Sequence, residues 1–213
     1  MSEDYGKRDR TIFWIAFLAG VTMVVGYAIY TLWPREPAEV DLSALSDAPK
    51  LELSIAGQAQ GTVVITLRPD LAPKHVERIA QLAREGAYDD VVFHRVIDGF
   101  MAQTGDVEFG RVDTNDASRA GMGGSRYPDL PAEFSEVPFV EGTVGMARSQ
   151  NPNSANSQFF IMFAPGPFLD GKYTVVGQVT QGMDVVHAIK RGEGQNGAVT
   201  SQPDVITEAR VVD

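Results

Sequence analysis

The sequence predicts a mainly β domain preceded by one N-terminal transmembrane helix. From residue 51 onward, short runs of β-branched and aromatic residues recur, and Gly, Pro and Asp separate them. Two helical patterns lie far apart among these runs. Such a chain suits a closed or nearly closed barrel capped by helices, although the pattern alone also allows a β-sandwich. The transmembrane helix is predicted from residues 12–33, a run of 22 residues without a charge.

The apolar run, as a helix, is long enough to cross about 30 Å of hydrocarbon. Trp14, Tyr30 and Trp33 lie near its ends, where aromatic rings favour the membrane–water interface. A cleaved signal peptide would have a shorter apolar core of roughly 7–15 residues and a small-residue cleavage site, and no such site precedes Pro34. We therefore expect an uncleaved signal anchor in contact with the lipid bilayer, with cleavage as the alternative.

The charges that flank this run predict its orientation. Lys7, Arg8 and Arg10 precede it, whereas Arg35 is the single basic residue among the sixteen that follow. Because basic residues stay on the cytoplasmic side, residues 1–11 are expected in the cytoplasm and the C-terminal part outside it. The prediction is a single-pass protein of the inner membrane with a periplasmic domain. The lack of cysteine agrees with that site only weakly.

Residues 34–50 are predicted to be a linker, because they hold three prolines and several acidic residues without a sustained apolar period. Residues 51–213 then form the folded domain. This part has 13 basic and 21 acidic residues, a net charge of −8. Such a charge argues against a basic surface that would bind nucleic acid.

Within the domain, alternation and β-branched content predict strands, and apolar residues at helical spacing predict helices. The first helix begins near Pro73 and ends before Gly86, and the second covers about residues 183–191 with Gly192 as its stop. The predicted strands are residues 51–55, 62–67, 91–96, 142–147, 158–163, 174–179 and 205–212.

Residues 93–106 are the most informative stretch of the chain. They hold a guanidinium (Arg95), two bulky apolar side chains (Phe100 and Met101) and an amide (Gln103) within nine residues. Taken alone, Arg95 fits a strand arginine on a solvated face, and a Phe-Met pair fits a core. The combination indicates a site instead.

A second block follows half a chain later. It comprises residues 157–161, Ser-Gln-Phe-Phe-Ile, and residues 168–173, Phe-Leu-Asp-Gly-Lys-Tyr. In this order the two blocks resemble the cyclophilin-type peptidyl-prolyl cis-trans isomerases, and the resemblance covers roughly residues 51–212.

The resemblance implies an eight-stranded antiparallel closed β-barrel with two capping α-helices. It also implies rotation about X–Pro bonds in proline-containing polypeptide segments, which would assist the folding of exported proteins. The reaction makes and breaks no bond, so we expect no cofactor and no metal. A cation that stabilises the twisted amide is needed instead.

By the same resemblance, Arg95 is the expected catalytic residue. Gln103 and the backbone at Ala147 and Arg148 are expected to hydrogen-bond the peptide, and Gln158 to orient the wall. The expected substrate-binding residues are Phe100, Met101, Gln103, Ala147, Arg148, Gln158, Phe160, Phe168, Leu169 and Tyr173.

The chain departs from the pattern of the family it resembles at several positions. Arg148 stands where many relatives have asparagine, Phe168 where many have tryptophan and Tyr173 where many have histidine. Because phenylalanine lacks the indole N–H donor, cyclosporin is expected to bind weakly. The segment 107–124 is several residues longer than in compact relatives, and its sequence assigns it no role.

The histidines do not indicate a metal site or an acid–base group. His75, His94 and His187 lie on separate elements without metal-ligand spacing, and His94 is expected to be structural. Two alternatives to an isomerase remain open, a non-catalytic module that binds proline peptides and a membrane-tethered holdase chaperone. Retention of Arg95 favours catalysis over binding alone.

Overall fold

The computed structural model describes residues 47–114 and 117–212. The predicted cytoplasmic segment (1–11), the transmembrane helix (12–33) and most of the linker (34–50) lie outside these residues. Within the two described ranges, no helix has the length and apolar character needed to cross a membrane.

Nine strands form one sheet in which every pair of neighbours is antiparallel. Their spatial order is β3-β9-β1-β2-β8-β6-β7-β5-β4. The bounds are β1 (Lys50–Ala56), β2 (Gly61–Leu67), β3 (Val91–Val92), β4 (Arg95–Ile97), β5 (Met101–Thr104), β6 (Thr143–Met146), β7 (Phe159–Met162), β8 (Val175–Gln181) and β9 (Val205–Val212).

The sheet is curled, because its two edge strands belong to one short segment of the chain. β3 pairs with β9 at one edge, and β4 pairs with β5 at the other. Only Phe93 and His94 separate the two strands in the sequence. The opposite edges of the sheet therefore meet at residues 91–97.

In the described part of the chain, two α-helices accompany the sheet, α1 (Pro73–Arg84) and α2 (Met183–Ala188). Proline has no backbone N–H. At the start of α1 this costs nothing, because no carbonyl of the helix would accept a hydrogen bond from that position. The Glu133 carboxylate accepts hydrogen bonds from the next two backbone amides, of Lys74 and His75. Its Oε2 also lies 2.6 Å from Nδ1 of the buried His75, so one side chain caps α1 and anchors it to residues 131–133.

Alternation along the strands separates the core from a second apolar cluster. In β7, Phe159 and Ile161 belong to the main core, whereas Phe160 and Met162 belong to the second cluster on the opposite face. The second cluster consists of Met101, Phe139, Phe160, Met162, Leu169 and Val175, all buried.

The structure corrects the predicted strands in two places. The segment 91–96 was predicted as one strand but forms two, because the Phe93 N–H donates to Asp204 O and the His94 carbonyl accepts from Val199 N–H. Strand β5 was not predicted. With these two changes the seven strands predicted from the sequence pattern become nine, whereas the resemblance implied eight. Strand β1 begins at Lys50, one residue before the predicted boundary.

The second helix was also predicted too long. It ends at Ala188 rather than near Arg191, and Ile189 is extended (ψ 133°). The backbone there has partners elsewhere in the fold. The Lys190 N–H donates to Oδ2 of the buried Asp204, whose Oδ1 accepts from Ala59 in the β1–β2 turn. A long-range carboxylate thus ends this helix.

Candidate active site

One row of residues crosses four neighbouring strands and organises the site. Arg95 in β4 lies opposite Gln103 in β5, which lies opposite Phe160 in β7, which lies opposite Gly145 in β6. Directly opposite residues project from the same face of an antiparallel sheet. The guanidinium, the amide and the phenyl ring therefore lie side by side on the face that carries the second apolar cluster.

Two aromatic rings occupy the space above Gly145 in this row. A Cβ atom at this position would lie 2.6 Å from both the Phe139 and the Phe160 rings. The two rings stack at 5.8 Å, and Tyr173 meets the Phe160 ring edge-on at 5.9 Å. The missing side chain lets these rings pack flat against the sheet.

An apolar groove of about 460 Å³ opens beside the row. Met101, Phe160 and Leu169 form a buried floor, whereas Phe168 at the rim is 59% exposed. Phe168 contacts Phe100 with ring centroids 5.5 Å apart. The lining residues are Arg95, Phe100, Met101, Gln103, Ala147, Arg148, Phe160, Phe168, Leu169 and Tyr173. The groove thus brings together all the predicted site residues except Gln158.

Arg95 is held at the groove by neutral acceptors. Its Nε donates to the Asn196 carbonyl (2.9 Å) and its Nη1 to Gln103 Oε1 (3.2 Å). Among the described residues no carboxylate lies within 4.0 Å of it. Burial lowers the pKa of Arg95 from its ordinary value, yet a guanidinium stays charged at any physiological pH. The groove therefore contains a fixed positive charge that no described carboxylate pairs with.

Gln158 supports this arrangement from a neighbouring pocket. Gln103 Nε2 donates to Gln158 Oε1 (2.9 Å), and Gln158 Nε2 donates to the carbonyls of Gly121 and Gly123. Gln158 does not line the apolar groove. It lines an adjacent pocket of about 360 Å³, so it orients Gln103 rather than contacting a group in the groove.

The sequence predicted that only the backbone of Arg148 would contribute to the site, but its side chain also takes part. Its guanidinium lies over the Tyr173 ring, 4.3 Å from the centroid, and donates to the carbonyls of Ser149 and Lys172. The neighbouring Ala147 N–H donates to the Gln158 carbonyl and is thus not available to a peptide. Both residues line the groove and the adjacent pocket.

The family follows from a comparison with known proteins. A family model described as cyclophilin type peptidyl-prolyl cis-trans isomerase/CLD matches residues 50–211, most of the chain. The chain belongs to the cyclophilins.

Relatives and a solved structure agree with this assignment. A probable peptidyl-prolyl cis-trans isomerase of Brucella suis biovar 1 is 69% identical over 199 residues, which are 92% of this chain and 94% of the relative. Peptidyl-prolyl cis-trans isomerase-like 1 of Aspergillus fumigatus is 39% identical over 60% of this chain and 75% of its own.

The crystal structure of a Cryptosporidium parvum cyclophilin, determined in the presence of the dipeptide Ala-Pro, has a TM-score of 0.64. It covers 77% of this chain and 99% of its own at 22% identity, a likeness that concerns the fold. The mainly β fold with two helices is thus a cyclophilin fold, and the predicted prolyl isomerase activity is confirmed at the level of the family.

One structural residue of this cyclophilin was missed in the sequence. The carboxylate of Asp106, fully buried, accepts hydrogen bonds from the backbone amides of Glu108, Phe109, Gly121 and Gly123. It thereby holds both ends of the segment 107–124 together. It also fixes Gly121 and Gly123, which form the glycine wall of the adjacent pocket. An aspartate directly before a turn was the available signal.

His94, beside the catalytic candidate in sequence, lies between β3 and β4 and lines neither the groove nor the adjacent pocket. It is 7% exposed, and its ring packs against Gly121. Burial lowers the pKa of His94 to about 4, so the ring is neutral near pH 7. This position supports a structural role.

The shifted pKa of His94 predicts how stability depends on pH. Because the folded pKa is about 4 and the ordinary value 6.5, the unfolded chain takes up a proton first as the pH falls. The free energy of unfolding should therefore decrease from about pH 6.5 toward pH 4, by up to roughly 1.4 kcal/mol per pH unit from this group. Burial shifts the pKa of His75 in the same direction. Urea unfolding at a series of pH values measures the slope.

The control is His94→Gln, which removes the titrating ring. Its slope between pH 6.5 and 4 should be shallower by about one proton, whatever its absolute stability. Equal slopes in the two proteins would show that His94 is not neutral in the folded state.

Proposed function

We propose that this cyclophilin rotates X–Pro bonds in the apolar groove, with Arg95 as the catalytic residue. One observation carries the proposal: a guanidinium that pairs with no carboxylate of the described residues lies at the edge of a pocket with an aromatic and aliphatic floor. A pocket of this kind suits a proline ring, and the charge suits the amide that precedes it.

The physics of the reaction defines what the groove must do. Resonance stiffens the peptide C–N bond, so rotation meets a barrier of about 18–20 kcal/mol and takes tens to hundreds of seconds unaided at X–Pro bonds. In the twisted state the resonance is lost and the proline nitrogen regains its lone pair. Arg95 can donate an N–H to that nitrogen, an interaction that the planar amide lacks. Only such differential stabilisation accelerates the reaction.

The surrounding residues have distinct proposed tasks. Phe100, Met101, Phe160 and Leu169 would hold the proline ring, and Phe168 and Tyr173 would form the rim. Gln103 retains a second amide N–H that can donate to the peptide backbone. The Ala147 carbonyl could accept from the peptide, and the Arg148 backbone could hydrogen-bond it as well. The Ala-Pro dipeptide named for the Cryptosporidium parvum cyclophilin supports a proline-containing ligand for this chain as well.

Two finer features are part of the proposal. Both edges of the sheet meet at residues 91–97. This supports a closed barrel, in which that one segment joins the two edge strands. The exposed Phe168 ring has no N–H donor, which supports weak binding of cyclosporin.

We also propose that the enzyme is anchored in the inner membrane by residues 12–33, with its domain in the periplasm. The support is the uncharged apolar run and the excess of basic residues before it. An enzyme so tethered would meet chains as they emerge during export and assist their folding.

Substitution of Arg95 tests the catalytic assignment. Arg95→Ala should lower kcat/KM for a proline peptide by about 100-fold or more, because the lost donor acts mainly in the twisted state. Arg95→Lys should recover little, since an ammonium lacks the planar fork. NMR exchange spectroscopy measures the cis–trans rate directly.

The matched control is Arg210→Ala, which removes the same charge from a residue that lines neither pocket. It should retain the parent rate. An Arg95→Ala protein that is folded and keeps more than about half of the activity would refute the assignment. Peptide binding retained with turnover lost would separate an isomerase from a binding module.

Reporter fusions test the membrane topology. Alkaline phosphatase fused after Asp213 should be active, because residues 1–11 carry the basic residues that stay in the cytoplasm. Protease added to spheroplasts should digest the domain beyond about residue 34. Protection of the domain from protease would reverse the proposed orientation.

A further inference from the structure

The groove and the adjacent pocket differ in charge from the rest of the domain. Residues 51–213 have a net charge of −8. Among the described residues, however, those that line the two pockets include two arginines, Arg95 and Arg148, and no aspartate or glutamate. An acidic protein thus presents a positively charged binding surface. Such a surface attracts peptides of negative charge and disfavours basic ones.

Arg148 contributes a charge that no described carboxylate of the domain pairs with. Its hydrogen-bond acceptors are the Ser149 and Lys172 carbonyls, both 2.9 Å away, and neither carries a net charge. Within residues 47–114 and 117–212, no carboxylate lies within 4.0 Å of its guanidinium. Arg126, also stacked on a tyrosine, instead pairs with Glu85 at 3.2 Å.

The guanidinium is also fixed in place before any peptide arrives. The Tyr173 ring and the two carbonyls hold it from different directions. A flexible arginine loses side-chain entropy when it forms an ion pair, and this loss weakens exposed pairs. Because Arg148 is already ordered, little of that entropy remains to be lost when a carboxylate binds.

Arg148 lies where a bound peptide would pass from one pocket to the other. It lines both of them, as do Gln103 and Ala147. A segment with its proline in the apolar groove would therefore lead its neighbouring residues past this guanidinium and into the adjacent pocket.

We propose that Arg148 makes the enzyme selective for proline segments with an aspartate or glutamate within two residues of the proline. The inference rests on the proposed placement of the proline in the apolar groove. The acidic side chain would accept charge-assisted hydrogen bonds from the guanidinium N–H groups that the two carbonyls leave. Lysine or arginine at the same peptide position would be repelled.

The test compares peptides that differ only in charge. Glu, Gln or Lys is introduced at each of the two positions before and the two positions after a single proline, and NMR exchange gives kcat/KM with the full-length protein. At one position or more, Glu should exceed Gln by about three- to tenfold and Lys should fall below Gln. The preference should shrink in 1 M NaCl, where the Debye length is about 3 Å.

The substitution Arg148→Gln assigns the preference to this residue. It should bring the Glu-to-Gln ratio close to one, and Arg148→Lys should retain part of the ratio because the charge remains. The matched control, Arg126→Gln, removes the same charge from a tyrosine-stacked arginine outside both pockets. It should keep the parent ratio.

Three results would overturn the proposal. Equal turnover of the Glu, Gln and Lys peptides by the parent protein would show that there is no selectivity. If Arg148→Gln lowered kcat/KM equally for all peptides and left the Glu-to-Gln ratio unchanged, Arg148 would only hold the Tyr173 ring in place. No turnover of the neutral Gln peptide by the parent would instead refute the reaction in this groove, and the selectivity with it.

Discussion

The strand register of β4, β5, β7 and β6 is the constraint on which the site depends. It aligns Arg95, Gln103, Phe160 and Gly145 in one row. A slip of one residue in any of these strands would move its side chain to the other face of the sheet. The guanidinium, its amide partner and the floor of the groove would then no longer meet. Side chains alternate between the two faces along each strand, and this alternation places the core on one face of the sheet and the groove on the other.

A second set of contacts keeps the row rigid. Gln158 orients Gln103, and its own amide is held by the carbonyls of the glycine wall. That wall is in turn fixed by the Asp106 carboxylate. Hydrogen bonds therefore connect a buried aspartate, through two glutamines, to the arginine. A functional group is held accurately when its neighbours are themselves held, which here gives the long segment 107–124 a structural task.

Much of this could be predicted from the sequence because it depends on local patterns. The alternating strands, the first helix between Pro73 and Gly86, and ten groove residues that include Arg95 and Phe160 all followed from periodicity or from family motifs. The division of residues 91–97 into two strands depends on long-range partners such as Asp204, so no local pattern could reveal it. The Arg148–Tyr173 contact likewise joins residues 25 positions apart. The membrane anchor remains a prediction.

The central claim is that Gln103 contributes to turnover by holding Arg95 against the rotating amide. A double-mutant cycle on kcat at saturating peptide, with Gln103→Leu and Arg95→Ala, tests it most directly, because saturation removes differences in peptide affinity. Gln103→Leu should lower kcat by about tenfold in the parent protein but by less than about twofold when Arg95 is already alanine. The same factor in both backgrounds would contradict the account, because the two residues would then act independently.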